Sequence, residues 1–222
     1  MKSNTMSDSK RIKIILDLDQ TIISGEEIDG ETDLSDNKTL DAYKMDDEFV
    51  IFARPGLQRF LDFLFANFDV SVWTAASKTY ATFIIKNIIL NGKPERKLEY
   101  VFFLYHCEIS SDIGRGMKDL RILKDYFGMN DFSNKKTFII DDNADVKETN
   151  GNNCIAIKPF FYEHYVPGLA EDSYLDKLQT KLKKRFLDER KSRHESIKSA
   201  VAAAGDRERR KHRKRRSAEK AI

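Results

Sequence analysis

The octapeptide Ile14-Ile15-Leu16-Asp17-Leu18-Asp19-Gln20-Thr21 constrains the fold of this chain more than any other stretch. An apolar run climbs directly into two carboxylates one residue apart, followed by a hydroxyl. Alternate side chains of a strand share a face, so Asp17 and Asp19 can point one way while Leu18 stays in the apolar layer. A strand over Lys13–Leu18 delivers both acids to its C-terminal edge, where open α/β sheets place their ligands. Two such acids call for a shared proton or a cation, and a hard divalent ion such as Mg²⁺ satisfies them. Aspartate can also attack a phosphoryl group while a neighbouring acid handles protons. An isolated Asp-x-Asp is more simply read as the start of a turn, so the rest of the chain decides.

The pattern that follows alternates. Phe49–Ala53 reads as a strand ended by Arg54-Pro55-Gly56. A helix from Pro55 places Leu57, Phe60, Leu61, Leu64 and Phe65 on one face. Phe68–Thr74 is the next strand, and Lys78–Leu90 a second helix stopped by Asn91-Gly92. Tyr100–Tyr105 reads as a strand, Met117–Phe127 as a helix, and Lys136–Ile140 and Cys154–Ile157 as strands. A helix from Glu171 is expected to run past residue 190. This alternation predicts a three-layer α/β/α sandwich with a mainly parallel sheet. One stretch breaks it: Gly25–Glu48 holds ten Asp/Glu against two Lys, an acidic flap after the first strand with room for a short hairpin.

Three further stretches end a strand, or open the helix after it, with polar chemistry. Trp73-Thr74-Ala75-Ala76-Ser77 offers Ser77 as a helix cap, while Thr74 comes too early for that task and is free to meet a ligand oxygen. In Gly116-Met117-Lys118-Asp119-Leu120, a lysine at a helix start opposes the helix dipole. That placement makes sense if Lys118 neutralises a phosphate; a solvated lysine is the commoner case. Phe138-Ile139-Ile140-Asp141-Asp142-Asn143 repeats the opening theme, with a second acid pair leaving an apolar strand. One pair is a turn; two are harder to dismiss.

In order and character these parts resemble the four motifs of the haloacid dehalogenase superfamily. Asp17-Leu18-Asp19-Gln20-Thr21, Arg54-Pro55-Gly56-Leu57, Trp73-Thr74-Ala75, Lys118-Asp119-Leu120 and Ile139-Ile140-Asp141-Asp142-Asn143-Ala144-Asp145-Val146 are similar to motifs of its Fcp/Scp-type, NLI-interacting-factor-like phosphatases. The resemblance spans roughly Ile12 to Phe160. It implies a haloacid-dehalogenase-like fold and phosphoryl transfer, with Asp17 as nucleophile, Asp19 as acid and base, and Thr74 and Lys118 on the phosphoryl oxygens. It also implies Mg²⁺ held by Asp17, the Asp19 backbone carbonyl and Asp142, with Asp141 alongside. The implied substrates are Ser/Thr phosphoproteins such as the C-terminal domain of RNA polymerase II. The family usually has an arginine in the strand before the lysine motif, where this chain reads Leu104-Tyr105-His106-Cys107.

Charge separates the ends. Residues 181–222 hold 17 Lys/Arg and 6 Asp/Glu, so this basic tail carries +11 and the preceding 180 residues −8, within a net +3. We read residues 1–10 as a disordered leader, 11–180 as the phosphatase domain, and 181–222 as a helical or disordered tail. Arg207 to Arg216 form a dense basic cluster suited to nuclear localisation or nucleic-acid contact, or simply to a solvated end. Cys107 and Cys154 lack metal-type spacing and read as free thiols of an intracellular protein, nuclear or cytoplasmic. No run reaches transmembrane length, so no membrane partner is expected. The acidic flap favours basic phosphoproteins. The alternatives are a nucleic-acid 3′-phosphatase and a catalytically silent binding module.

Overall fold

The computed structural model describes residues 11–28, 40–133, 135–165 and 173–188. The expected leader, the middle of the acidic flap and the basic cluster of the tail lie outside the described residues. The chain divides into two compact units, 1–178 and 179–222.

The first unit is built on β1 (Lys13–Leu16), whose Ile14, Ile15 and Leu16 are wholly buried. A strand apolar on both faces belongs in the middle of a parallel sheet. β1 lies between β5 (Asp69–Trp73) and β7 (Thr137–Asp141), with β6 (Leu98–Phe102) and β8 (Cys154–Ala156) outermost, in a five-stranded sheet of order β6-β5-β1-β7-β8, every pair parallel. Leu16 is in register with both Val72 and Ile140. Asp17, Thr74 and Asp141 therefore leave three adjacent strands at one edge. On one face Ile15, Trp73, Ile139 and Cys154 pack with Leu120, Ile122, Leu123 and Val146, from α4 (Arg121–Asp125), α5 (Ala144–Asn150) and the turn before α4. On the other, α1 (Leu57–Asn67) buries Leu57, Phe60, Leu61 and Leu64 and contacts β5. This is the expected α/β/α sandwich.

The acidic stretch carries more order than a flap with one hairpin. Its described parts supply β2 (Ile23–Glu27) and β3 (Ala42–Met45), which flank β4 (Phe49–Ala53) in a separate antiparallel sheet. Beyond β4, buried Arg54 donates to the carbonyls of Thr21 (2.9 Å) and Lys158 (2.8 Å). It thereby ties the loop after β1 to the chain after β8 (Cys154–Ala156).

Several element expectations need correction. β1 stops at Leu16, before the acids. α1 begins at Leu57 rather than Pro55, because Gly56 takes a left-handed conformation (φ 77°) at its cap. The strand expected over Tyr100–Tyr105 is β6 (Leu98–Phe102), and Leu104–Asp112 forms a helix, α3. That helix buries only Cys107 and Ser110, so its sequence has no apolar stripe to betray it. The helix expected over Met117–Phe127 shrinks to α4, since Lys118 itself is left-handed (φ 50°). α2 (Lys78–Ile84) continues as a π-helical turn, Ile85–Ile89, and Ser77 caps it by accepting from the Tyr80 N–H, as expected. α6 spans Tyr174–Leu182 and is followed by a π-helical segment, Lys183–Asp188. No helix among the described residues is long and apolar enough to cross a membrane.

Candidate active site

Lys118 is the hub of the sheet edge. Its ammonium donates to Asp17 Oδ1 and, at 2.8 Å, to Asp141 Oδ2, and all three side chains are buried. The helix-start reading of Lys118 is incorrect: it sits three residues before α4, in a left-handed turn that aims the side chain across the sheet edge. Three polar anchors hold that turn. Ser110 Oγ donates to the Gly116 carbonyl (2.6 Å) and accepts from the Asp119 N–H. The Asn150 amide donates to the Lys118 carbonyl and accepts from the Leu120 N–H, each at 3.0 Å. Asp119, also buried, is held by Arg121.

The acids are arranged around this lysine. Asp17 follows β1 directly, its N–H bonded to the Ile140 carbonyl. Asp142 is fixed by Thr21, whose hydroxyl donates to Asp142 Oδ1 (2.9 Å) and accepts from the Asp142 N–H. Asp17, Asp141 and Asp142 offer carboxylate oxygens within 4.8 Å of one another. Asp19 sits apart from that trio: Tyr80 Oη donates to its Oδ1 at 2.7 Å and Thr74 Oγ1 to its Oδ2 at 3.4 Å. Thr74 is fully buried and also accepts from the Ala76 N–H. Its hydroxyl thus has partners within the protein, contrary to the expectation of a free group.

Burial dominates the electrostatics. It pushes Asp17 up to about 7, resisted by Lys118 and reinforced by the charge of Asp141. Burial also raises Asp19, against the hydrogen bond from Tyr80, and Asp142, against that from Thr21. For Lys118, burial works downward, but the flanking Asp17 and Asp141 win and hold it above the ordinary lysine value. Three buried or half-buried carboxylates thus face one ammonium. That excess of hard oxygen donors suits a divalent cation such as Mg²⁺, and Asp17, Asp141 and Asp142 are the residues whose side chains could hold it.

A cavity of about 540 Å³ opens beside Asp19, lined by Gly25, Met45, Asp46, Glu48, Phe49 and Tyr80 among others. The antiparallel sheet therefore reaches the reactive edge through the turn between β3 and β4.

The model of the NLI interacting factor-like phosphatases matches residues 12–193. The chain belongs to this family. It is 41% identical to the CTD phosphatase-like protein 355R of Invertebrate iridescent virus 6 over 177 residues, which is 77% of this chain and 94% of the viral one. Identity to the 355R protein of Invertebrate iridescent virus 3 is 40% over 186 residues, covering 80% and 98% of the two chains. Among solved structures it is similar to Fcp1, an essential RNA polymerase II CTD phosphatase, with a TM-score of 0.49 and 20% identity over 79% of this chain and 48% of that one. A fission yeast Fcp1 variant bound to beryllium fluoride gives the same TM-score and identity, over 88% and 56%. This chain thus spans about half the length of those Fcp1 chains.

As a member of a phosphatase family the chain is of the hydrolase class, and the structure brings its motif residues to one sheet edge. Sequence reasoning had Thr21 within the first motif but missed its grip on Asp142. It placed Tyr80 within the second helix without singling it out and gave no reading of Asn150. Ser110 gave no signal, since its helix was not foreseen. Leu104 to Cys107, expected in the strand before the lysine motif, lie in α3.

Proposed function

We propose that this protein is a magnesium-dependent Ser/Thr phosphoprotein phosphatase that works through an aspartyl-phosphate on Asp17. The observation that carries this reading is the buried Lys118 bridging Asp17 and Asp141, with Asp142 beside them and Asp19 held separately. Asp17 attacks phosphorus as the bond to the leaving oxygen breaks, and Asp19 gives that oxygen its proton. Water then attacks the aspartyl-phosphate, losing its proton to Asp19; the phosphorus–oxygen bond to Asp17 breaks and phosphate leaves. Lys118 offsets charge on the equatorial oxygens. Thr74 steadies Asp19 and its own turn. Mg²⁺, carried by Asp17, Asp142 and the Asp19 carbonyl with Asp141 alongside, would supply the positive charge that lets an anionic nucleophile meet a phosphate dianion.

The cavity beside Asp19 supports a narrower substrate class. Asp46 and Glu48 give its wall negative charge, Phe49 and Tyr80 give it aromatic surface, and none of its described lining residues is basic. A phosphoprotein with Lys or Arg next to the phosphorylated residue fits that lining better than an acidic one. The test of the main reading is turnover of an aryl phosphate by wild type and Asp17→Asn, with Mg²⁺ and with EDTA. Wild type should require Mg²⁺ and the variant should be inactive although folded; equal rates in the two would remove Asp17 from the nucleophile role.

A further inference from the structure

Tyr80 has no part in the phosphoryl and proton transfers proposed above, only in the cavity wall, yet it makes the shorter of the two side-chain hydrogen bonds on Asp19, 2.7 Å against 3.4 Å from Thr74. Its backbone is fixed in the first turn of α2 by the Ser77 cap, and Phe49 meets its ring edge-on at 6.2 Å. The phenol reaches Asp19 by passing Gly25 in β2. A Cβ on Gly25 would stand 2.4 Å from Tyr80 Oη and 3.3 Å from Ile51 Cδ1. Gly25 is not among the glycines with positive φ, so its backbone conformation does not demand glycine. Space for the tyrosine hydroxyl does.

We infer that Tyr80, admitted by Gly25, is a positioning residue that fixes Asp19 for proton delivery to the leaving oxygen, an inference that rests on the acid–base role proposed for Asp19. By holding Oδ1, Tyr80 sets the carboxyl rotamer and leaves Oδ2 as the oxygen that carries the exchangeable proton. Thr74, at 3.4 Å, is too distant to set it alone. In the first half-reaction the proton passes from Asp19 Oδ2 to the ester oxygen as the bond to phosphorus breaks. In the second it returns to Asp19 from the attacking water. Tyr80 keeps its own proton in both.

The dependence on leaving group tests this, because a residue that merely supports the fold affects all substrates alike. A phosphoserine peptide must release an alkoxide-like oxygen and needs the proton; p-nitrophenyl phosphate releases a stabilised phenolate and does not. The measurement is single-turnover release of dephosphorylated peptide or of p-nitrophenol with Mg²⁺, for wild type, Tyr80→Phe, Gly25→Ala, the double variant and Asp19→Asn. Tyr80→Phe should slow peptide release by about 10–100-fold, less than the loss of a whole general acid, while changing p-nitrophenol release by under about threefold. Gly25→Ala should show the same selectivity, and add little to Tyr80→Phe, because the two act through one contact. Equal losses on both substrates, or independent multiplying losses from Gly25→Ala and Tyr80→Phe, would overturn the inference. The underlying reading fails in a different way: wild type releases neither product, or Asp19→Asn shows no leaving-group selectivity.

Discussion

At the scale of single residues the site is governed by what burial does to charge. In the unfolded chain the Asp17 carboxyl ionises near its ordinary value, while in the folded, metal-free protein burial holds its proton up to about 7. A carboxyl raised in this way stabilises the fold at low pH; that contribution is lost as pH climbs through the window between the two values and stays lost above it. Asparagine cannot ionise. In EDTA, Asp17→Asn should therefore melt higher than wild type at about pH 8, and the gap should close toward pH 4, each kcal/mol appearing as roughly 2–4 °C. Differential scanning calorimetry across pH reads this directly, and a gap that is constant with pH contradicts it. Lys118→Met acts in the opposite sense. It strips the counter-ion from buried Asp17 and Asp141 and should destabilise the metal-free protein by about 3–5 kcal/mol, more in alkali than in acid, by denaturant titration.

Elements matter through the turns that aim these side chains. Gly116 adopts φ 80°, and a Cβ there would lie 2.6 Å from Thr149 Oγ1. Gly116→Ala should cost about 1–3 kcal/mol of stability and lower kcat by displacing Lys118, which a paired melt and turnover assay would detect. Asn150→Ala strips partners from the Lys118 carbonyl and the Leu120 N–H and should cost a similar about 1–3 kcal/mol. Such turns mark the boundary of what the sequence displays. β1, β5 and β7 were legible because runs such as Phe138–Ile140 are apolar on both faces, and the polar residues that follow these runs were legible for the same reason. Ser77 was readable as a cap because capping has a strong residue preference. α3 was hidden because Leu104 and Tyr105 stay exposed and the helix buries little. The left-handed conformation of Lys118 was hidden because tertiary bonds from Ser110 and Asn150, not local propensity, impose it. Tyr80 was not singled out because a tyrosine at helical spacing carries no sign of a polar role until a partner 61 residues away in sequence is placed beside its hydroxyl.

For the molecule as a whole, the parallel sheet gathers Asp17, Lys118 and the Asp141-Asp142 pair from three separate stretches, and the antiparallel sheet brings acidic and aromatic walls up to Asp19. A divalent ion that binds only the folded site should stabilise it with the logarithm of the free-ion concentration over Kd, by about 2.7 kcal/mol at a hundredfold excess, and raise the melting temperature accordingly. Asp142→Asn should abolish that rise. The acidic walls predict a higher kcat/KM for a Lys/Arg-flanked phosphopeptide than for an acidic one, a preference that shrinks as salt screens it. Equal efficiencies at low salt would discard that substrate class. Most directly, the central claim is that a phosphoryl group resides covalently on Asp17 during turnover. Asp19→Asn, mixed with p-nitrophenyl phosphate and Mg²⁺ and rapidly quenched, should accumulate phosphoprotein, because the base for hydrolysis is gone while this leaving group needs no acid. Peptide mass spectrometry should place the phosphoryl group on Asp17, and its appearance on another residue, or p-nitrophenol release with unmodified protein, would contradict the account.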